Sequence, residues 1–270
     1  MAFSQDDDLE LLLTAAQLAG EAAMPYFRAG QTTTARVSYK DGNSPVSEAD
    51  LAANAALEQH LRKPRPAYYW ISEETVDAAD RLTESHVFVV DPIDGTRAFI
   101  AGKPEWSVSV ALVVDGRPVA GVVHAPALGL TYSAREGRGA VCNGKTLACS
   151  AAQTLDQALF AGPKTMVEPL QQETGIILRQ HVAVPSLAYR MVLAAQGQID
   201  LAVASTGAHD WDVAAADIIL REAGAVLVDL EGDSLVYNRP SLRRSTLVAG
   251  PAPLALSAAA ALKAAFGLRR

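Results

Sequence analysis

One stretch constrains this chain more than any other: an apolar run that stops abruptly in acid. Val87-Phe88-Val89-Val90 leads directly into Asp91-Pro92-Ile93-Asp94-Gly95-Thr96. The run is short, β-branched and bounded by turn residues, so it predicts a buried strand. Pro92 has no N–H to give to a ladder, and pairing is expected to stop near Asp91. Gly95 permits a backbone angle that a larger residue resists. Two carboxylates therefore sit where a strand leaves a sheet, with no basic residue inside the motif. Charge at such a place is costly unless something positive binds there. An Asx-turn followed by a helix N-cap is the competing account.

The 270 residues suffice for one large domain or two small ones. Half are hydrophobic and 20% charged, as in an ordinary globular protein. The net charge of -7 argues against a nucleic-acid surface made by bulk charge. Cys142 and Cys149 form no CxxC pattern, and the N-terminus is acidic where a signal peptide would be basic. No apolar run approaches the ~18 residues of a membrane span. A reduced, cytoplasmic protein is expected.

Along the chain, residues 6–28 predict a helix capped by Ser4 or Asp6, and residues 48–61 a second, capped by Ser47. Residues 31–45 predict a turn-rich loop. Strands are expected at 68–71, 87–90, 106–114, 119–124 and 130–134, with Asp115-Gly116 as a hairpin turn and 137–144 as a loop. From about residue 150, strands (158–162, 182–184, 199–204, 225–228, 246–249) alternate with helices (167–178, 187–195, 212–223), and residues 254–266 close the chain. The fold class is α/β, with an α+β N-terminal half. Two tightly packed subdomains are expected, 1–145 and 146–270, the second carrying Asp212.

Five acids stand at element edges: Asp50, Glu73, Asp91, Asp94 and Asp212. Each alone also suits a helix cap. Together they suit a hard, oxygen-seeking cation such as Mg²⁺ or Mn²⁺. His124, His181 and His209 are scattered singles, which argues against zinc. Gly95-Thr96 opens a short helix, 96–100, whose N-terminal amides suit a phosphate. Residue type and spacing thus favour metal-assisted phosphate chemistry.

Asp91 to Thr96 resembles the first signature of the inositol monophosphatase superfamily of Mg²⁺-dependent, lithium-sensitive phosphatases. Trp211-Asp212-Val213-Ala214-Ala215-Ala216 resembles the second, and Ser44 to Asp50 and Ser72-Glu73-Glu74 match further elements in the same order. The resemblance implies a layered αβαβα fold. It implies that Asp91 bridges two metals, that Glu73 and the Ile93 carbonyl complete one site, and that Asp94 and Asp212 complete the other. Two or three Mg²⁺ ions are implied, Mn²⁺ as a substitute, Li⁺ and Ca²⁺ as inhibitors. Asp50 and Thr96 would deprotonate the attacking water, with Glu73 also catalytic. Gly95 and Thr96 amides would hold the phosphate, near Arg97 and Asp212.

The substrate expectation rests on departures from the inositol type. Gly95-Thr96-Arg97-Ala98-Phe99-Ile100 replaces the usual Gly-Thr-Thr-Asn-Phe, and Ser205 stands where a Glu would meet ring hydroxyls. The Lys40-Asp41-Gly42-Asn43-Ser44-Pro45 loop and residues 104–110 resemble the 3'(2'),5'-bisphosphate nucleotidases best. A bisphosphate nucleotidase is expected first, with inositol monophosphatase and histidinol phosphatase as alternatives and a regulatory partner of transcription or translation machinery as the non-enzymatic one. The partners expected are a small phosphorylated metabolite, no nucleic acid and no membrane, with the chain a monomer or homodimer. Arg190 either reaches a substrate phosphate or faces solvent, and Trp211 is expected in the core beside the site.

Overall fold

The computed structural model describes residues 5–40, 42 and 44–267. The N-terminal layer holds α1 (Gln5–Ala23) and α2 (Glu48–Arg62), linked through the hairpin β1 (Val37–Lys40) and β2 (Ser44–Ser47). Next comes a seven-stranded sheet: β3 (Tyr69–Ser72), β4 (His86–Asp94), β5 (Ser107–Val114), β6 (Arg117–Ala125), β7 (Leu130–Arg135), β8 (Ala140–Cys142) and β9 (Lys145–Thr146), in that spatial order. The short helix α3 (Thr96–Ile100) joins β4 to β5.

The second sheet uses β10 (Leu159–Ala161), β11 (Arg179–Gln180), β12 (Leu201–Ala204), β13 (Val226–Asp229) and β14 (Leu247–Gly250), ordered β11-β10-β12-β14-β13. Its helices are α4 (Lys164–Thr174), α5 (Leu187–Ala195), α6 (Asp210–Glu222) and α7 (Ala252–Ala265).

The layers follow from strand alternation. Phe88 and Val90 of β4 face a core made with α1 and α2, while Val87 and Val89 face α5 and α6. On the other sheet α5 packs on β12 and β14 and α6 on β13, and α4 and α7 cover the far side of that sheet through Leu170, Leu254 and Ala258. The order is αβαβα. As the central layer, α6 buries a continuous run from Val213 to Leu220, as a helix enclosed on all sides must. It lies so close to β6 that a Cβ on Gly121 would sit 2.8 Å from the Ala215 carbonyl oxygen.

Several local expectations change. Pairing of β4 with β5 does not stop at Asp91. It shifts register across Pro92-Ile93 and resumes at Asp94↔Ser107, because a bulge absorbs the missing N–H. Residues 37–47 form a hairpin rather than only a loop, with Asp41 and Asn43 outside the described residues. Ser4 and the Asp6 side chain also lie outside them. The first helix ends at Ala23, before a 3-10 turn containing Pro25. The expected strand at 182–184 is absent and β11 forms earlier, at Arg179–Gln180, on the edge beside β10. Helix α4 starts at Lys164, tolerates Pro169 and stops at Gly175 in the left-handed conformation. Asp115 and Gly116 both have positive φ, as a two-residue I′ hairpin turn requires.

Candidate active site

The ends of β4, α2, α5 and α6 converge on one place. One carboxylate oxygen from each of Asp91, Asp94 and Asp212 lies within 4.8 Å of the others. Asp91 is 1% exposed and Asp94 6%.

Each carboxylate is aimed by backbone N–H groups. Asp91 Oδ1 accepts from the Ile93 N–H at 3.0 Å, which turns the chain around Pro92. Asp94 Oδ2 accepts from the Ala188 N–H at 2.7 Å and from the Ser186 hydroxyl, at the N-terminus of α5. Ser186 is that helix's N-cap, accepting from the Tyr189 N–H at 3.0 Å. Asp212 Oδ2 accepts from the His209 N–H at 2.6 Å, the third helical position reaching back to the N-cap. Asp50 does the same for α2: its Oδ2 accepts from the Ser47 N–H at 2.8 Å and the Ser47 hydroxyl at 2.6 Å. Its Oδ1 lies 3.1 Å from the Thr96 hydroxyl, which is also 3.0 Å from the Ile93 carbonyl. Capping and cation binding are therefore not rival accounts here. The cap fixes one oxygen of each of Asp50, Asp94 and Asp212, and the positive helix end partly offsets its charge.

That offset is incomplete. Burial raises Asp91 well above the usual carboxylate range, and the charges of Glu73, Asp94, Asp212 and Asp50 push the same way. Burial and the Asp94 charge likewise raise Asp212. Asp94 rises mainly through burial, opposed by its Ser186 and Ala188 hydrogen bonds and by the Arg190 charge. Asp50 is raised by burial against its Ser47 and Thr96 hydrogen bonds. A cluster of buried acids that resists ionisation alone fits a divalent cation, whose charge would relieve the repulsion.

Glu73 stands slightly apart. Its carboxylate lies outside the tight group, with Oε1 3.7 Å from Lys40 Nζ. Burial, against the Lys40 charge, pushes it up to about 7. Lys40 also pairs with Glu74 at 2.8 Å and donates to the Glu73 carbonyl at 3.1 Å, so the β1–β2 hairpin is pinned to this edge. Gly95, at φ 93, caps α3 and is packed against Ser186, which a Cβ there would approach to 3.3 Å. Arg97 is exposed in the first turn of α3. Trp211 is half-buried, stacked on His209 with ring centroids 4.6 Å apart.

Arg190 is turned onto the backbone and lines the cavity of Ser205 rather than simply facing solvent. Its guanidinium donates to the Val184 carbonyl from Nε at 3.1 Å and to the Val203 carbonyl from Nη1 at 2.9 Å, tying α5 to β12. Ser186 was not legible as a site residue, although a serine just before an apolar helical run signals an N-cap. Its contact with Asp94 spans 92 residues of sequence.

The sequence model of the inositol monophosphatase family matches residues 4–264. The chain is 33% identical to inositol monophosphatase 2 of Solanum lycopersicum, over 84% of this chain and 89% of that protein. It is 33% identical to the 3'(2'),5'-bisphosphate nucleotidase CysQ of Aggregatibacter actinomycetemcomitans, over 86% and 87%. It is 34% identical to the histidinol-phosphatase of Mycobacterium tuberculosis, over 84% and 88%. A solved structure of an IMPase from Thermotoga maritima superposes with a TM-score of 0.84 at 25% identity, over 97% of this chain and 99% of that one.

Proposed function

This chain belongs to the inositol monophosphatase family, a family of metal-dependent phosphomonoesterases, and from that premise we propose that it uses Mg²⁺ to hydrolyse a small phosphorylated metabolite, with 3'(2'),5'-bisphosphate nucleotides first among its substrates. The observation that carries the reaction class is the cluster of Asp91, Asp94 and Asp212 at the end of β4 and the N-termini of α5 and α6, with no lysine or arginine bonded to any of the three carboxylates among the described residues. Divalent cations held by these three, with Glu73 and the Ile93 carbonyl, would neutralise phosphate charge and lower the pKa of a bound water.

The chain's own residues do the rest. The Ser47 cap holds Asp50 so that its Oδ1 meets the Thr96 hydroxyl at 3.1 Å. A proton leaving the attacking water can pass through Thr96 Oγ1 to Asp50. Amides of Gly95 and Thr96 hold the phosphate oxygens, and the Ser186 hydroxyl and Ala188 N–H keep Asp94 from turning away. Catalysis here is positioning and charge stabilisation, without a covalent intermediate.

For the substrate, Ser205 lines the cavity beside the cluster and offers a hydroxyl rather than a carboxylate. Arginines 190 and 243 line the same cavity, which favours an anionic leaving group over a neutral polyol. Relatives named for inositol phosphate and histidinol phosphate hydrolysis have similar identities and supply the competing substrates.

The test is phosphate release with Mg²⁺, with and without Li⁺. The panel is 3'-phosphoadenosine 5'-phosphate, inositol 1-phosphate, histidinol phosphate and fructose 1,6-bisphosphate. The highest kcat/KM is expected for the first, with inhibition by Li⁺. Preference for inositol 1-phosphate would overturn the substrate assignment, and no release from any ester would remove the enzymatic one.

A further inference from the structure

Beside the carboxylate cluster lies the cavity of about 410 Å³ that Ser205 and the two arginines line. Its walls place it. Leu187 lines it, and the next residue, Ala188, donates its N–H to Asp94. Ala208 lines it, and the next residue, His209, donates its N–H to Asp212. The cavity therefore lies next to the backbone that aims Asp94 and Asp212, where it can take the leaving group of a phosphate held at the Gly95 and Thr96 amides. Its volume suits a nucleoside-sized or sugar-sized group.

Its chemistry is one-sided. Arg190 and Arg243 line it with the hydroxyls of Ser205 and Thr206, and no acidic residue does. Arg190 spends one N–H each from Nε, Nη1 and Nη2 on backbone carbonyls. Arg243 is exposed, and its guanidinium has no hydrogen bond or ion pair with the described residues. Backbone pairing fixes where Arg243 starts. The Arg244 N–H donates to the Ala208 carbonyl at 2.6 Å, the Gly207 N–H donates to the Arg244 carbonyl at 3.0 Å, and Arg243 is bridged to His209. The guanidinium then lies over Gly207, where an added Cβ would come within 3.2 Å of Nη2. Gly207, at φ 114, leaves that room.

We propose that Arg243, seated over Gly207, is a specificity residue that binds a second anionic group on the leaving portion of the substrate, with Arg190 lending charge from the cavity wall. The substrate class is thereby a phosphomonoester whose leaving group is itself anionic. A planar guanidinium fork suits a phosphate better than a neutral hydroxyl. This assignment rests on the phosphomonoesterase reading above.

The experiment compares adenosine 3',5'-bisphosphate with adenosine 3'-monophosphate, which differ only in the second phosphate. Steady-state hydrolysis with Mg²⁺ is measured for the wild type, Arg243→Ala and Arg243→Lys, and binding of both nucleotides to the metal-free proteins by calorimetry. For Arg243→Ala, KM for the bisphosphate should rise at least tenfold with kcat within twofold, while the monophosphate parameters stay within twofold. Arg243→Lys should recover part of the loss. Raising the salt should shrink the wild-type preference for the bisphosphate and leave that of Arg243→Ala unchanged. Equal loss on both nucleotides, or no loss on either, would overturn the assignment. If the wild type hydrolyses neither, the phosphomonoesterase reading fails, and the ratio of the two binding constants still decides the role of Arg243.

Discussion

Asp210 and Asp212 stand two residues apart in the first turn of α6, both acidic and both drawn inward, yet they belong to different kinds of site. Asp210 is 0% exposed and bonded to the chain's own groups, although burial still raises it to about 6. Its Oδ1 meets Arg244 at 2.6 Å and its Oδ2 accepts from the Asn238 N–H at 3.0 Å. Further along, Asp217 meets the Tyr237 hydroxyl at 2.9 Å and Arg221 at 3.7 Å. Asp212 faces two more carboxylates instead; among the described residues it accepts from the His209 N–H, lies 4.0 Å from the His209 ring nitrogen, and has no lysine or arginine bonded to it. Acids balanced by the chain's own cations build the fold. Acids balanced only by amide dipoles are left able to hold a cation from outside.

The contrast can be broken by exchanging what each region lacks. Asp91→Asn should lower phosphate release on the order of a thousandfold, as loss of a group stabilising the reacting charge does. It should also abolish most of the Mg²⁺-dependent rise in melting temperature, read by calorimetry with and without the ion. Arg244→Ala acts on the other region. It leaves Asp210 buried without its partner and should cost about 3 kcal/mol in urea unfolding, while Mg²⁺ still raises the melting temperature.

Asp217 gives the comparison a pH signature. Burial, opposed by Arg221 and the Tyr237 hydroxyl, holds it at about 6, above the ~3.9 of an unfolded aspartate. The native state keeps a proton that the unfolded state has lost, so this group's contribution to stability falls as pH rises from about 4 to about 6. The loss should reach about 2 to 3 kcal/mol, and Asp217→Asn should remove that share of the fall, leaving the share due to Asp210, which burial also raises to about 6. The smallest effect is expected for Ser186→Ala. Losing the α5 cap should cost about 1 kcal/mol, and freeing Asp94 should lower kcat about tenfold.

Much of the fold was legible. The helix spans of α2 and α5 and the Asp115-Gly116 turn follow from period, caps and turn chemistry. Shorter elements were not, because two or three residues carry no period. β8, β9 and β11 form where a neighbouring strand offers partners, and β1 and β2 exist only as a pair. The same limit applies to the site. Asp91, Asp94 and Asp212 could be named from residue type at element edges, but Ser186 and Arg243 enter it through contacts between distant segments.

The sequence by itself determined that an apolar strand would end in paired acids beside a glycine, and that other acids would stand at helix starts. These are local matters of side-chain period, turn chemistry and capping, which a few consecutive residues decide. Only the tertiary structure decided which acids meet. Packing α5 and α6 between two sheets brings the N-termini of those helices to the end of β4, places Asp212 beside Asp94, and gives Asp210 to Arg244 instead. A carboxylate's role depends on the charge within a few ångströms of it, and in this protein that charge comes from residues far away along the chain.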